Sequence, residues 1–377
     1  LDSGDATGAL SLIERALAIR ERAGGPESVD VAESLAVHLG RALTVAGRYD
    51  DARQKYERAL GLYRAKLGTE HSAQEVPLQG LAFVLAKLSR RAEALDAALR
   101  AQELSTAHVR LAVTSMTEHE ALGYAAHQVE TRDLMLSLVS GGDGAGRLGR
   151  VWETLLRARA LVLDELIGRR QAKTGGLDEA TTAVYRTMEG TRRRLAALLL
   201  QDTKASGEAY QAELKKARDE DNEAERALAE RSARFREQRG VTEVSLDRVR
   251  SALPEKGALV AYFRYEGIPF ETPTKKKQPP DPPEPTPSYV AFVLRSGSSE
   301  PVLVRLGAAS AIDEAVANWA TEIARAAANP ARAGEAQYRS VGQKLRVLAW
   351  DPIAKQLGAA GTVFIVPDGT RHRLNFA

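Results

Sequence analysis

Residues 361–377 read Gly-Thr-Val-Phe-Ile-Val-Pro-Asp-Gly-Thr-Arg-His-Arg-Leu-Asn-Phe-Ala. The four residues from Val363 to Val366 form an unbroken β-branched and aromatic run. Such a run, bounded by turn residues, predicts a strand buried on both faces, as in a parallel sheet. Pro367 has no N–H for a ladder, so the strand ends there. Asp368-Gly369 turns the chain, with Gly free to take positive φ. In open α/β sheets, sites gather beyond the carboxyl ends of strands. The C-terminal third is therefore expected to be α/β, with site-building residues beginning at Asp368.

Working upstream, Pro254 and Gly257 mark a boundary. Ala258 to Tyr262, Tyr289 to Leu294 and Pro301 to Leu306 read as strands, the first two as a hairpin. Between those two lies residues 271–288, with Lys275-Lys276-Lys277 and seven prolines from Pro273 to Pro287. Proline at that density resists both helix and ladder, so the stretch reads as a mobile insertion. Its Pro-x-x-Pro spacing also fits an extended ligand for a partner domain. Ala311 to Ala328 places Ile312, Val316, Trp319 and Ile323 on one helix face, and Asn329-Pro330 stops it. Tyr338 to Leu357 predicts a further helix before the last strand.

The first 140 residues carry a repeat of about 42 residues. Glu14-Arg15-Ala16-Leu17 returns as Glu57-Arg58-Ala59-Leu60. Ala46-Gly47-Arg48-Tyr49-Asp50-Asp51-Ala52 returns as Leu88-Ser89-Arg90-Arg91-Ala92-Glu93-Ala94. Leu39 and Leu43 return as Leu81 and Leu85, and Ala9, Ala52 and Ala94 hold one small position where helices approach closely. These are helix–turn–helix units whose apolar faces only their neighbours can cover. The first helix, Ala9 to Ala23, has no preceding partner, so the chain is expected to begin inside a repeat.

Residues 141–253 read as a helical linker containing a long antiparallel hairpin. Val184, Met188, Thr191, Leu195 and Leu198 recur at spacings of three and four, as do Tyr210, Leu214, Ala217, Asp221, Ala224, Leu228, Arg231 and Phe235, with Asp221 and Arg231 as polar intrusions. Arg192-Arg193-Arg194 suits either a phosphate or a solvated face opposite the acidic partner helix. Gly144-Ala145-Gly146-Arg147-Leu148-Gly149 fits a dinucleotide fingerprint in form, but the residues before it read as helix and not strand. His119 lacks a second histidine four residues on, so a helical zinc motif is not formed with Glu120, and His127 shares only a rough face with it.

Composition excludes several classes. The chain has 377 residues, 44% hydrophobic and 27% charged, which is a globular make-up. Its 53 basic and 50 acidic residues balance to +3, too even for a nucleic-acid surface. No apolar run approaches a membrane span. Cysteine is absent, so these residues hold no disulfide, thiolate metal site or cysteine nucleophile. No cofactor or metal site is expected.

The repeats resemble tetratricopeptide repeats (TPRs) of the kinesin-light-chain type. That resemblance implies a groove for a protein or peptide partner, although a purely architectural stack fits the same pattern. Asparagines that such repeats carry on the groove helix are missing from residues 1–140. His38, Arg41 and Arg48 are the candidate groove residues, with a solvated face as the alternative for each. The last stretch, through Val363, Phe364, Ile365, Val366, Pro367, Asp368, Gly369, Leu374, Phe376 and Ala377, resembles an early strand of the CHAT domain. CHAT domains are caspase-like, related to caspase and separase cysteine proteases, and often follow TPR arrays in bacterial proteins. Asn375 stands where that family usually has proline.

Taken together, the expected fold is mainly α with a C-terminal α/β part. Residues 1–140 are a TPR helical-hairpin array, 141–253 the helical linker and hairpin, and 254–377 the opening strands and helices of a caspase-like domain. The resemblance implies the regulatory, N-terminal portion of a cytoplasmic TPR–CHAT cysteine endopeptidase, its array sensing a partner and the complete protease cutting a protein substrate. The Cys and His of that family's dyad match no position here, and His372 precedes the expected histidine. A non-catalytic TPR scaffold is the alternative. A nucleotide-binding signalling ATPase is disfavoured, because no P-loop pattern occurs.

Overall fold

The computed structural model describes residues 6–113, 130–144, 146–159, 179–200, 208–231, 245–270, 285–328 and 335–370. Among the described residues the chain is mainly helical with one four-stranded sheet, and it divides into two compact units. One unit comprises Leu1–Arg132 with Thr154–Val244; the other comprises Asp133–Glu153 with Ser245–Ala377. Each unit draws on two separate stretches of the chain.

In the first unit, helices follow the repeat. They are α1 (Ala6–Gly24), α2 (Val29–Glu33), a π-turn (Ser34–Gly40), α3 (Arg41–Val45) and α4 (Tyr49–Leu67). The next repeat supplies α5 (Glu75–Lys87) and α6 (Arg91–Val113). The Ser28 side chain caps α2 by accepting from the Val31 N–H at 3.3 Å. Helix α4 opens on Asp50 and Asp51 and closes on Arg64 and Lys66, the charge order that complements its dipole. Gly68 at φ +86° then ends it.

The periodic leucines form the core as expected. Leu39, Leu43 and Leu85 are buried, and Leu81 is partly so. Ala52 and Ala94 are fully buried, while Ala9 is half-buried. Tyr56 of α4 is the largest wedge between the repeats. A methyl at Gly40 would stand 2.6 Å from its ring, and one at Gly80 would stand 2.2 Å from it. Only glycine leaves room for a ring seated that closely against two inner helices.

The hairpin also forms. Helix α7 (Glu130–Leu138) and a helix α8 over 148–159 precede it; its arms are α9 (Glu179–Leu200) and α10 (Glu208–Arg231). Tyr210 faces Leu198, Asp221 faces Thr191 and Ala224 packs with Met188, so the arms run antiparallel. The three arginines lie on a solvated, acid-paired face: Arg192 meets Asp221, Arg193 meets Glu189 and Arg194 meets Glu220. Leu195, Leu198, Tyr210, Leu214 and Ala217 continue into the core built by α1 to α4.

In the second unit, α11 (Leu246–Ala252) leads into β1 (Gly257–Gly267), β2 (Thr286–Arg295) and β3 (Val302–Ala308). Helices α12 (Ala309–Ala328), α13 (Glu335–Ala349) and α14 (Asp351–Leu357) precede β4 (Thr362–Val366). The strand order is β3-β2-β1-β4, with β1–β2 and β2–β3 antiparallel and β4 parallel to β1. Helix α14 packs on the face holding Val260, Tyr262, Ala291 and Val293. The Tyr262 hydroxyl donates to the Ala349 carbonyl at 3.1 Å, tying α13 to that face. Residues 133–153 join this unit: Ser137 accepts from the Ile268 N–H at 2.9 Å, and Glu300 accepts from the Gly149 N–H at 2.8 Å.

Four expectations need correction. The last strand is parallel but not buried on both faces; Phe364 is 47% exposed. It borders only β1, so it is an edge strand among the described residues, and its second face lacks the cover a central strand has. The helix expected from Tyr338 to Leu357 is two helices broken at Trp350, because Pro352 in the first turn of α14 cannot donate backward. The helix expected from Ala311 starts earlier, at Ala309. The insertion expected over 271–288 ends sooner, since Thr286, Pro287 and Ser288 already pair in β2. Its residues 271–284 lie outside the described residues, as do His119, Glu120, His127, His372 and the stretch Leu374 to Ala377.

Candidate functional site

Two places carry groups that sequence reasoning singled out, one in each unit. The first is the outward face of the inner helices of the repeats. His38 and Arg41 are both exposed, three residues apart across the π-turn and α3. Val45, one turn further along, is 69% exposed. The equivalent stripe on α5 holds Val76, Phe83 and Lys87. Helix α5 packs beside the π-turn and α3, so the two stripes are neighbours. The Lys87 ammonium sits 5.5 Å from the Phe83 ring centre, a cation–π arrangement. Partial burial lowers the pKa of Lys87 from its ordinary value.

Arg41 makes no ion pair or hydrogen bond from its side chain among the described residues, and its charge faces the Tyr56 hydroxyl. Tyr56 itself stays protonated: burial raises its pKa, against smaller lowering by the Thr44 hydroxyl and by Arg41. Arg48 sits elsewhere, in the turn between α3 and α4, where it is paired with Asp51 at 2.6 Å. The structure therefore brings His38 and Arg41 together and leaves Arg48 on a separate turn.

The second place is the carboxyl end of the parallel pair β1–β4. Register aligns Ala261 with Val366, so Arg264 lies level with the Asp368-Gly369 turn. Asp368 accepts from the Arg264 N–H at 2.9 Å. The Tyr289 hydroxyl donates to Asp313 at 2.8 Å, and the Thr370 hydroxyl donates to the same oxygen at 2.7 Å. The Thr370 N–H donates back to the Tyr289 oxygen at 3.3 Å. Burial raises the pKa of Tyr289, so it remains a donor. Gly369 takes φ +61°, and a methyl there would lie 2.3 Å from the Tyr289 oxygen. The knot contains carboxylates, hydroxyls and a guanidinium that satisfy each other; chemically it fixes the direction in which the chain leaves β4.

A third feature gave no sequence signal. His71, between α4 and α5, is only 3% exposed. Its Nδ1 accepts from the Ala73 N–H at 3.1 Å, which leaves the proton on Nε2. Nε2 lies 3.0 Å from the Tyr210 hydroxyl, which donates onward to the Leu198 carbonyl at 3.2 Å. Burial, with help from His108 and Arg218, lowers the His71 pKa to about 4. The neutral ring thus joins the inter-repeat loop to both arms of the hairpin. A lone histidine beside Ser and Thr gives no pattern that would predict this, since Tyr210 lies 139 residues away.

Residues 31–107 match the family described as tetratricopeptide repeat. The match takes in both inner helices that carry the exposed stripes, along with α4 and most of α6. No curated protein is similar enough to the chain to count as a relative. Among the described residues, no helix is long and apolar enough to cross a membrane. TPR arrays generally bind protein partners, and the inner-helix face is where His38, Arg41, Val45 and Val76 are exposed.

Proposed function

We propose that this chain is the partner-sensing and N-terminal portion of a TPR–CHAT cysteine endopeptidase. The array binds a protein segment on its inner-helix face, and that binding governs proteolysis of a protein substrate. The observation that supports the protease part most is the placement of β4. After two antiparallel strand pairs and three helices, the Val-Phe-Ile-Val strand joins β1 in parallel, and its Pro-Asp-Gly turn is pinned at the carboxyl end. Arg264, Asp313 and Tyr289 serve there as positioning residues for the turn from Asp368 to Thr370, and none is offered as a catalytic group.

These 377 residues contain no cysteine, so they supply no thiolate nucleophile. Purified chain incubated with a mixed protein substrate pool should cleave nothing. Supplying the downstream coding sequence should restore cutting, and replacing its cysteine with alanine should remove it. Proteolysis by these residues alone, or a downstream sequence without paired Cys and His, would overturn the protease reading. The lack of cysteine favours a second reading, a non-catalytic TPR scaffold. Co-purification of one defined partner, lost on Val45→Asp, supports the interaction face under either reading.

A further inference from the structure

We infer that the helical hairpin is an acid-released clamp on the repeats, docked while the His71 ring is neutral and set free, with the repeats still folded, when that ring takes a second proton. The clamp bridges the outer helices of two repeats: α9 packs against α6 and α10 against α4. Leu195, Leu198, Tyr210, Leu214 and Ala217, nearest the link between the arms, enter the repeat core. Further along the arms, Met188 and Ala224 pack with Val184 and Tyr185 as a separate cluster. The anchor is therefore local. Its polar contacts include Tyr210 with His71, and Gln211 Nε2 donating to the Lys66 carbonyl at 2.6 Å. The clamp is independent of whether the chain serves a protease or a scaffold.

Both ring nitrogens of His71 are committed, each in one sense only. Nδ1 accepts from the Ala73 N–H; Nε2 donates to the Tyr210 oxygen, whose own hydrogen goes to the Leu198 carbonyl. A proton added at Nδ1 would face the Ala73 N–H, donor against donor. The loop around the ring is stapled to itself. Gln74, only 1% exposed, donates to the Gly68 and Thr69 carbonyls at 2.9 and 2.8 Å and accepts from Arg64 at 3.3 Å. The hairpin is thus the part that gives way. Arg218 faces the ring from α10 and His108 from α6, and positive charge on either opposes a charged ring. The nearby carboxylates are engaged, Glu75 with His108 and Glu70 with Arg100. Burial and these two neighbours hold the docked ring at about pKa 4, whereas a released ring returns to about 6.5. Release therefore takes up a proton: docking is whole above about pH 6.5 and weakens toward pH 4. The docking equilibrium should move roughly 70-fold between pH 7.5 and 4.5.

The whole chain holds no cysteine, so a pair of spin labels can be placed without background. Gln54→Cys on α4 and Lys215→Cys on α10 both replace exposed residues. Pulsed dipolar spectroscopy of the labelled chain should give one distance at pH 7.5. At pH 4.5 a second, longer distance should join it and vanish on return to pH 7.5, while the amides of α4 and α5 keep their protection from hydrogen exchange. His71→Gln, whose side chain takes no proton, should keep the single distance at both pH values. Unchanged distances in the parent chain at pH 4.5 overturn the clamp. So does opening that comes only with lost protection in α4 and α5, or an equal pH response in His71→Gln. Should His71→Gln already be open at pH 7.5, His108→Gln decides: with one opposing charge gone, release should move to higher pH, and a midpoint that stays or falls overturns the clamp.

Discussion

Tyr56 and Tyr289 pose the same packing problem in the two units and solve it with different parts. Each ring is buried, each hydroxyl is hydrogen-bonded, and each is approached by glycine where a methyl would not fit. Tyr56 is held between Gly40 and Gly80, close to one repeat length apart, so the socket belongs to the period of the array. Tyr289 is held by Asp313, Gly369 and Thr370, which come from a helix and a turn on either side of the crossover. One socket is a local device copied along a solenoid; the other closes a sheet and depends on distant segments meeting. Perturbing each should therefore injure different things.

The largest effect is expected at Gly80→Ala. Its methyl would stand 2.2 Å from the Tyr56 ring, and Gly40 leaves the ring no retreat, since a methyl there is already excluded at 2.6 Å. Helix propensity favours alanine by about 1 kcal/mol, but overpacking costs more, so a net loss of about 2–3 kcal/mol should appear in urea unfolding. Gly61→Ala lies on the open side of α4, with nothing within 4 Å of the new methyl. It should stabilise by roughly 0.5–1 kcal/mol. Equal behaviour of the two variants would break the idea of a socket.

His71 extends the comparison to a ring that belongs to neither kind of socket alone. Its pKa in the fold, about 4, lies below the unfolded value of about 6.5. The unfolded chain therefore takes up the proton first as pH falls. Stability from this group is whole above about pH 6.5 and is lost progressively toward pH 4, by at most about 3 kcal/mol. Urea midpoints taken between pH 7.5 and 4.5 should fall more steeply for the wild-type chain than for His71→Gln. Parallel curves would show that the His71–Tyr210 link does not hold the hairpin.

The array was legible because its signals are local and repeated. Leu39 and Leu43, the small positions Ala52 and Ala94, and the hairpin heptads each announce a face without knowledge of distant residues. The sheet was legible as strands, but its edges were not. An apolar run such as Val363 to Val366 reads alike in a central strand and in an edge strand, because burial is decided by which neighbours arrive. The break at Trp350 was written in Pro352 but concealed by the periodic Leu345, Leu348, Ile353 and Leu357. Of the candidate groove residues, the exposure of His38 and Arg41 was legible from register, as was that of Arg48. The His71 link and the Tyr289 knot were not, since their partners are far apart in sequence.

Gly369→Ala tests the second socket directly. Alanine at φ +61° costs about 1 kcal/mol of backbone strain, and its methyl meets the Tyr289 oxygen at 2.3 Å and Arg264 at 3.1 Å. A loss of about 2 kcal/mol is expected, confined to the unit that contains the sheet. Hydrogen exchange should accelerate in β4 and β1 while the amides of α4 and α5 keep their protection. Exchange that accelerates equally in α4 would remove the distinction between a local and a long-range socket.

The smallest effect is expected at Arg48→Ala, and it separates a groove residue from a turn residue. Arg48 and Asp51 pair at 2.6 Å with both side chains well exposed, so solvent screens the pair and the net contribution is under about 0.5 kcal/mol. The melting temperature should hardly move. Because Arg48 stands in the turn before α4 and not on the stripe with Arg41, retention of the co-purified partner should also be unchanged within about twofold. A tenfold loss would carry the binding face around the end of the inner helix, and the contrast between a stripe drawn by period and a knot drawn by topology would have to include the turns between the helices.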